Sequence, residues 1–112
     1  MIGYVTLGTN KFDESLAFYD ALLGSLGAGR FMEAENFVAW ATSPGQPAVC
    51  VIKPHDGNEA TVGNGTMVAL AVESPEQVQA LYKKALELGG TDEGEPGPVS
   101  YTHLTLPTMD SV

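Results

Sequence analysis

Residues 4–23 read YVTLGTNKFDESLAFYDALL, and residues 67–86 read MVALAVESPEQVQALYKKAL. These two stretches decide the fold, because the second repeats the first at a step of 63 residues. Val5 falls on Val68, Leu7 on Leu70, Ala17 on Ala80, Tyr19 on Tyr82 and Leu23 on Leu86. Phe18 falls on Leu81, which keeps the position apolar. Self-similarity at a fixed step means one supersecondary unit used twice. Each copy reads as a short strand, a turn and an amphipathic helix.

Working outward, residues 2–8 alternate as a half-buried strand does. Val5 and Leu7 are expected under the helix, with Tyr4 and Thr6 on the opposite face of the sheet. Phe12, Leu16, Tyr19, Leu22 and Leu23 form an apolar stripe at helical spacing. Asn10 is a better cap than Lys11, since its side-chain oxygen accepts from an orphan N–H. Gly24 is expected to stop the helix. Residues 30–34, 37–42 and 47–53 are rich in Phe, Val, Trp and Ile and read as three strands. Glu35 with Asn36, and Ser43-Pro44-Gly45-Gln46, supply the turns between them. The first module is therefore strand, helix, three strands, about residues 1–58. A polar, Gly-rich linker follows.

The second module, about residues 64–98, opens with a strand predicted over 66–73. Its helix starts at the Ser74 cap, with Pro75 in the first helical position and Gln77 closing a capping box. Val78, Leu81, Tyr82, Ala85 and Leu88 make its buried stripe, and Gly89 and Gly90 end it. Beyond Gly90 the repeat fails. Residues 91–98 read as loop, and residues 99–112 hold one strand at most. An incomplete second module leaves an unpaired sheet edge and an uncovered apolar face. Residues 1–98 thus form the domain, and 99–112 are expected to be a non-native tail in which His103 has no role.

The 112 residues suit one domain of modest core. With 14 acidic and 5 basic residues the formal net charge is −9, which repels phosphate backbones and disfavours nucleic-acid binding. The single cysteine, Cys50, rules out an intrachain disulfide and a Cys-rich zinc site, and suits the cytoplasm. No secretory signal and no membrane span of about 20 apolar residues is visible.

The βαβββ repeat, with AFYDALLG at residues 17–24 and GTMVALAVESPEQVQALY at residues 65–82, resembles the vicinal oxygen chelate superfamily. Glyoxalase I, extradiol dioxygenases and bleomycin-resistance proteins belong to it. The resemblance spans residues 1 to about 97. It implies an α+β fold in which paired βαβββ modules curl around a shared concavity. It also implies a divalent metal, held by His or Glu from the first and last strands of each module, that polarises two vicinal substrate oxygens. The expected ligand positions fall on Tyr4, Met67 and on or near Cys50, and the fourth lies past the chain's end. Met and neutral Tyr are poor ligands for Mg, Mn or Zn. The resemblance therefore leads to a metal-free site with no cofactor, unless the native C-terminal strand supplies ligands. The family also implies a homodimer.

The residues expected to line the pocket are Tyr4, Thr6, Trp40, Cys50 and Met67. Tyr4 and Met67 suit an adaptable apolar pocket and suit plain packing equally. Cys50 could be a nucleophile or soft ligand, but a lone Cys in a Val-rich strand is more often a small buried hydrophobe. Trp40 could stack on a planar ligand or fill the sheet's core. His55 reads as a surface loop residue. The Gly63-Asn64-Gly65 segment has no helix after it to cradle a phosphate. The leading expectation is a glyoxalase/bleomycin-resistance-like domain that binds a small organic molecule in the concavity. The alternatives are a metal-dependent lyase or dioxygenase of the lactoylglutathione lyase type, using Cys50 and His55, and a self-associating or non-functional fragment.

Overall fold

The computed structural model describes residues 1–91 and the backbone of a short strand at His103–Thr105. The chain divides into two compact units, Met1–Thr61 and Val62–Val112. The first holds β1 (Tyr4–Gly8), α1 (Phe12–Gly24), β2 (Gly29–Glu33), β3 (Phe37–Ala41) and β4 (Ala48–Ile52). They make one four-stranded sheet in the order β1-β4-β3-β2. β1 runs parallel to β4, and the other neighbours are antiparallel. The expected strand–helix–three-strand order is the one observed.

The register sorts the side chains onto two faces. Thr6 lies beside Cys50, Cys50 beside Ala39, and Ala39 beside Met32. Leu7, Val51 and Val38 form the neighbouring row, and Val5, Val49, Trp40 and Arg30 another. Adjacent residues of a strand point to opposite faces. The bulky rows therefore face α1, and the small row faces away. Val38, Trp40 and Val51 are buried under the helix together with Phe18, Tyr19, Leu22 and Leu23. Burying each such side chain stabilises the fold by roughly 1.5–3 kcal/mol. Tyr19 stands edge-on to Phe18, with ring centroids 5.0 Å apart, and meets Trp40 at 5.8 Å.

Two local expectations for α1, its buried stripe and its cap, are corrected, while its end falls at Gly24 as expected. Its buried stripe includes Ser15 and Phe18, while Phe12 and Leu16 are only half-buried. Ser15 can go inside because its hydroxyl meets that of Thr9 at 2.6 Å. Phe12 stays near the surface with the Lys53 ammonium 5.1 Å over its ring. The cap is Lys11, with no side-chain cap bond. Asn10 is used elsewhere: its Nδ2 donates to the Ala60 carbonyl and its Oδ1 accepts from the Ala60 N–H. Gly24 is the last helical residue, and the left-handed residue is Gly27, at φ +84°. The Ala28 N–H returns to the Leu23 carbonyl and the Gly27 N–H to that of Gly24, which satisfies the last turn.

The second unit holds β5 (Ala69–Ala71), α2 (Pro75–Glu87) and β6 (His103–Thr105), with β5 antiparallel to β6. Both ends of α2 sit 63 residues after those of α1, so the repeat is realised in the helices. β5 is shorter than the 66–73 expected. The Ser74 side chain accepts from the Gln77 N–H, and Pro75 follows the cap. Gln77 Oε1 accepts from the N–H of Glu73, one residue before the cap. Val78, Leu81 and Ala85 are buried, while Tyr82 and Leu88 are half-buried. The Gly90 N–H donates to the Ala85 carbonyl and that of Gly89 to Leu86, with Gly89 at φ +101°. Among the described residues this unit has two strands where the first has four. The expected tail at 99–112 lies outside the described residues, apart from the β6 backbone. No helix among the described residues is long and apolar enough to cross a membrane.

Candidate functional site

On the side of the first sheet away from α1, a concavity of about 760 Å³ opens. That volume lies within the range of small-molecule sites, about 300–1,000 Å³. Its cause is legible in two strands. β3 reads FVAWA and β4 reads AVCVI. On one face stand Val38, Trp40, Val49 and Val51; on the other stand Ala39, Ala41, Ala48 and Cys50. Small side chains rise little above the pleat, so the sheet's second face keeps a low floor. Thr6 of β1 extends that floor beside Cys50.

The walls are larger. Tyr4 rises from β1, Phe37 and Ile52 lie at one end of the strands, and Phe31 and Met32 come from β2. The β2 ladder slips between Arg30 and Met32, which adds Phe31 as an extra residue. Such a bulge re-aims the side chains around it. Phe31 and Met32 are both exposed and both line the hollow. The remaining rim is the turn after β3. There the Gln46 N–H returns to the Ser43 carbonyl across Pro44 and Gly45, and Gly45 has φ +85°. Pro followed by a positive-φ Gly is a type II turn.

Of the residues expected to line the pocket, the structure brings Tyr4, Thr6 and Cys50 together at this hollow. Trp40 is elsewhere. It is 2% exposed on the helix side of the sheet, and its Nε1 donates to Asp20 Oδ1 at 2.9 Å. The parity of β3 decides this, because Ala39 and not Trp40 pairs with Cys50. Met67 belongs to the second unit, where it is exposed just before β5. His55 is exposed on the turn closed by the Gly57 N–H and the Pro54 carbonyl, and it does not line the hollow. Sequence reasoning missed Ala39, Ala41, Phe31, Met32 and Phe37. The alternation of small and large residues along β3 and β4 was a signal for the first two.

The chemistry of the hollow is mild. Its polar groups include the hydroxyls of Tyr4, Thr6, Thr42 and Ser43 and the amide of Gln46. Cys50 is buried, and that burial pushes its thiol up, so the thiolate is disfavoured. Arg30, the one charged residue among the lining residues, is engaged on the helix side. Its Nε and Nη2 donate to Asp20 at 2.8 and 2.6 Å, and its Nη1 donates to Glu33 at 2.8 Å. The Arg30 guanidinium and the Trp40 N–H hold the Asp20 carboxyl below the usual range. Among the described residues no group of three or more His, Cys, Asp or Glu could hold a metal ion. Hydroxyls and a protonated thiol do not fit a divalent cation that prefers carboxylate, imidazole or thiolate donors.

A family model and one solved structure point to the same family. The model of the glyoxalase/bleomycin resistance protein/dioxygenase superfamily matches residues 1–107. A glyoxalase/bleomycin resistance protein from Albidiferax ferrireducens T118 is 36% identical, with a TM-score of 0.76 over 86% of this chain and 78% of that one. A hypothetical protein from S. aureus, SA1046, has the same fold at 22% identity and a TM-score of 0.67, over 94% of this chain and 81% of that one. So has a putative glyoxalase from Bacillus halodurans, at 23% identity and a TM-score of 0.58, over 80% and 70%. No curated protein matches the chain. With a family model matching nearly its whole length and a βαβββ unit that carries its hollow on the face away from the helix, this chain belongs to the glyoxalase/bleomycin resistance protein/dioxygenase superfamily.

Proposed function

We propose that the chain binds a small organic molecule on the small-residue face of its first sheet, without a metal ion. One observation carries this reading: a hollow of ligand size floored by Thr6, Ala39, Ala48 and Cys50 and walled by Tyr4, Phe31, Met32 and Phe37. A pocket that is mostly apolar, with a few neutral hydrogen-bonding groups, is the usual form of such a site. The metal-free part of the reading rests on the donors, which are hydroxyls and a thiol kept protonated by burial.

Two measurements test it. In a thermal-shift screen of small aromatic and heterocyclic compounds, a true ligand raises the melting temperature with concentration. The Ala41→Phe variant, which fills the hollow from its floor, abolishes that rise. A rise that survives in Ala41→Phe, or no rise from any compound, defeats the proposal. Isothermal titration with Zn²⁺, Mn²⁺ and Ni²⁺ is expected to give no stoichiometric binding. Tight one-to-one binding would favour the metal-dependent lyase or dioxygenase alternative instead.

A further inference from the structure

We propose, resting on the reading above, that the hollow selects an uncharged aromatic molecule and turns away the anionic form of the same molecule. Charge is the first reason. Arg30 is the one charged residue among those that line the hollow, and all three of its guanidinium nitrogens are bonded to Asp20 and Glu33. Its register partner is Trp40, so its side chain leaves the sheet on the helix side. Among the described residues that line the hollow, no cation is left to receive a carboxylate or phosphate. A charge buried without a partner loses its hydration and gains nothing in return. The chain's formal net charge of −9 adds a repulsive field of the same sign.

Shape is the second reason. The floor is a sheet face of short side chains, Ala39, Ala48 and Cys50 among them, which leaves room above it for a planar ring system. Three aromatic residues, Tyr4, Phe31 and Phe37, line the hollow around it. Aromatic groups gain from offset or edge-to-face contact beyond the area they bury. The Thr6 hydroxyl, in the floor row beside Cys50, can hydrogen-bond a neutral carbonyl, amide or hydroxyl.

The test compares two probes that differ by one group: naphthalene-2-carboxamide and naphthalene-2-carboxylate, titrated into the full chain at neutral pH by calorimetry. The amide is expected to bind at least ~10-fold more tightly, because an unpaired charge loses more on leaving water than a neutral amide does. Equal affinity, or tighter binding of the carboxylate, overturns the selection while leaving the hollow as a binding site. Binding of neither probe up to its solubility limit overturns both the selection and the reading beneath it. A gain-of-function variant locates the cause. Met32→Arg places a free guanidinium on the hollow's side of an exposed edge strand, and is expected to raise carboxylate affinity at least ~10-fold. Thr42→Arg, on the rim, is the second variant. If both fold and neither gains carboxylate affinity, charge is not the basis of selection.

Discussion

Replacing Tyr19 by Phe is expected to stabilise the protein. Tyr19 is fully buried between α1 and the sheet, and its hydroxyl has no hydrogen-bond partner among the described residues. Burial also drives its phenol well above the usual tyrosine range. A hydroxyl taken out of water without a new bond costs about 1–3 kcal/mol. Deleting the oxygen leaves a void of about 15 Å³, which at ~24 cal/mol per Å³ costs roughly 0.4 kcal/mol. The ring keeps its contacts with Phe18 and Trp40 in either case. The net gain is then about 0.6–2.6 kcal/mol, which for a chain of this size raises Tm by roughly 3–10 °C. Thermal and urea unfolding of Tyr19→Phe beside the parent measure it, with an unchanged m-value as the check that both unfold alike. A loss of 1 kcal/mol or more would refute the reasoning, because it would mean the hydroxyl is bonded in the folded protein.

Asp20 supplies a pH effect with a definite sign. Its carboxyl is held below the ordinary 3.8, so the stability it adds is present above that pH and lost as pH falls through the folded value. The ion pair is partly exposed, with Asp20's side chain 43% accessible, so Asp20→Asn is expected to cost only about 0.5–1 kcal/mol at pH 7. The gap should shrink as pH falls below 3.8 in acid unfolding; one that stays constant there would contradict the electrostatic account. Asn10→Ala removes both bonds to Ala60 and is expected to cost about 1–2 kcal/mol. It should speed hydrogen exchange at the Ala60 amide ahead of the sheet, and an unaltered Ala60 rate would show that the clamp is not what holds that segment. Cys50, with its thiol pushed up and 6% exposed, is expected to react with iodoacetamide at least ~10-fold more slowly in the folded than in the unfolded chain at pH 8. Equal rates would place the thiol at the surface.

What could be read from the residues alone was what short range decides. The 63-residue step placed α1 and α2 in corresponding positions because the same apolar spacing selects the same helix. Ser74 with Pro75 set the start of α2 through bonds only three residues long. The misses came where distant parts of the chain compete for one group. Asn10 has the chemistry of a cap, but Ala60, 50 residues away, takes both ends of its amide. Gly24 does end α1, as its residue type predicts, and only the left-handed turn comes later, at Gly27, where the returning N–H groups find carbonyls. Trp40 was expected at a ligand because aromatic rings often are. Its strand's parity, set by which of its neighbours pairs with Cys50, sends it under the helix. Of the hollow, the β1 side chains and Cys50 were legible, since alternation alone assigns them a face. The β2 wall was not, because nothing local in GRFME announces a slipped ladder.

That slip at Phe31 also bears on how the folded chain survives in a crowd. Among the described residues β2 is the last strand of its sheet, so one row of its N–H and C=O groups has no strand beside it. With two large apolar side chains exposed on it, a straight border of this kind would invite strands of other molecules to stack on, copy after copy. The extra residue throws the spacing out of step, so a flat intruder can match the groups on one side of it but not on both. The same irregularity that builds one wall of the hollow thereby guards the molecule against fibrous growth.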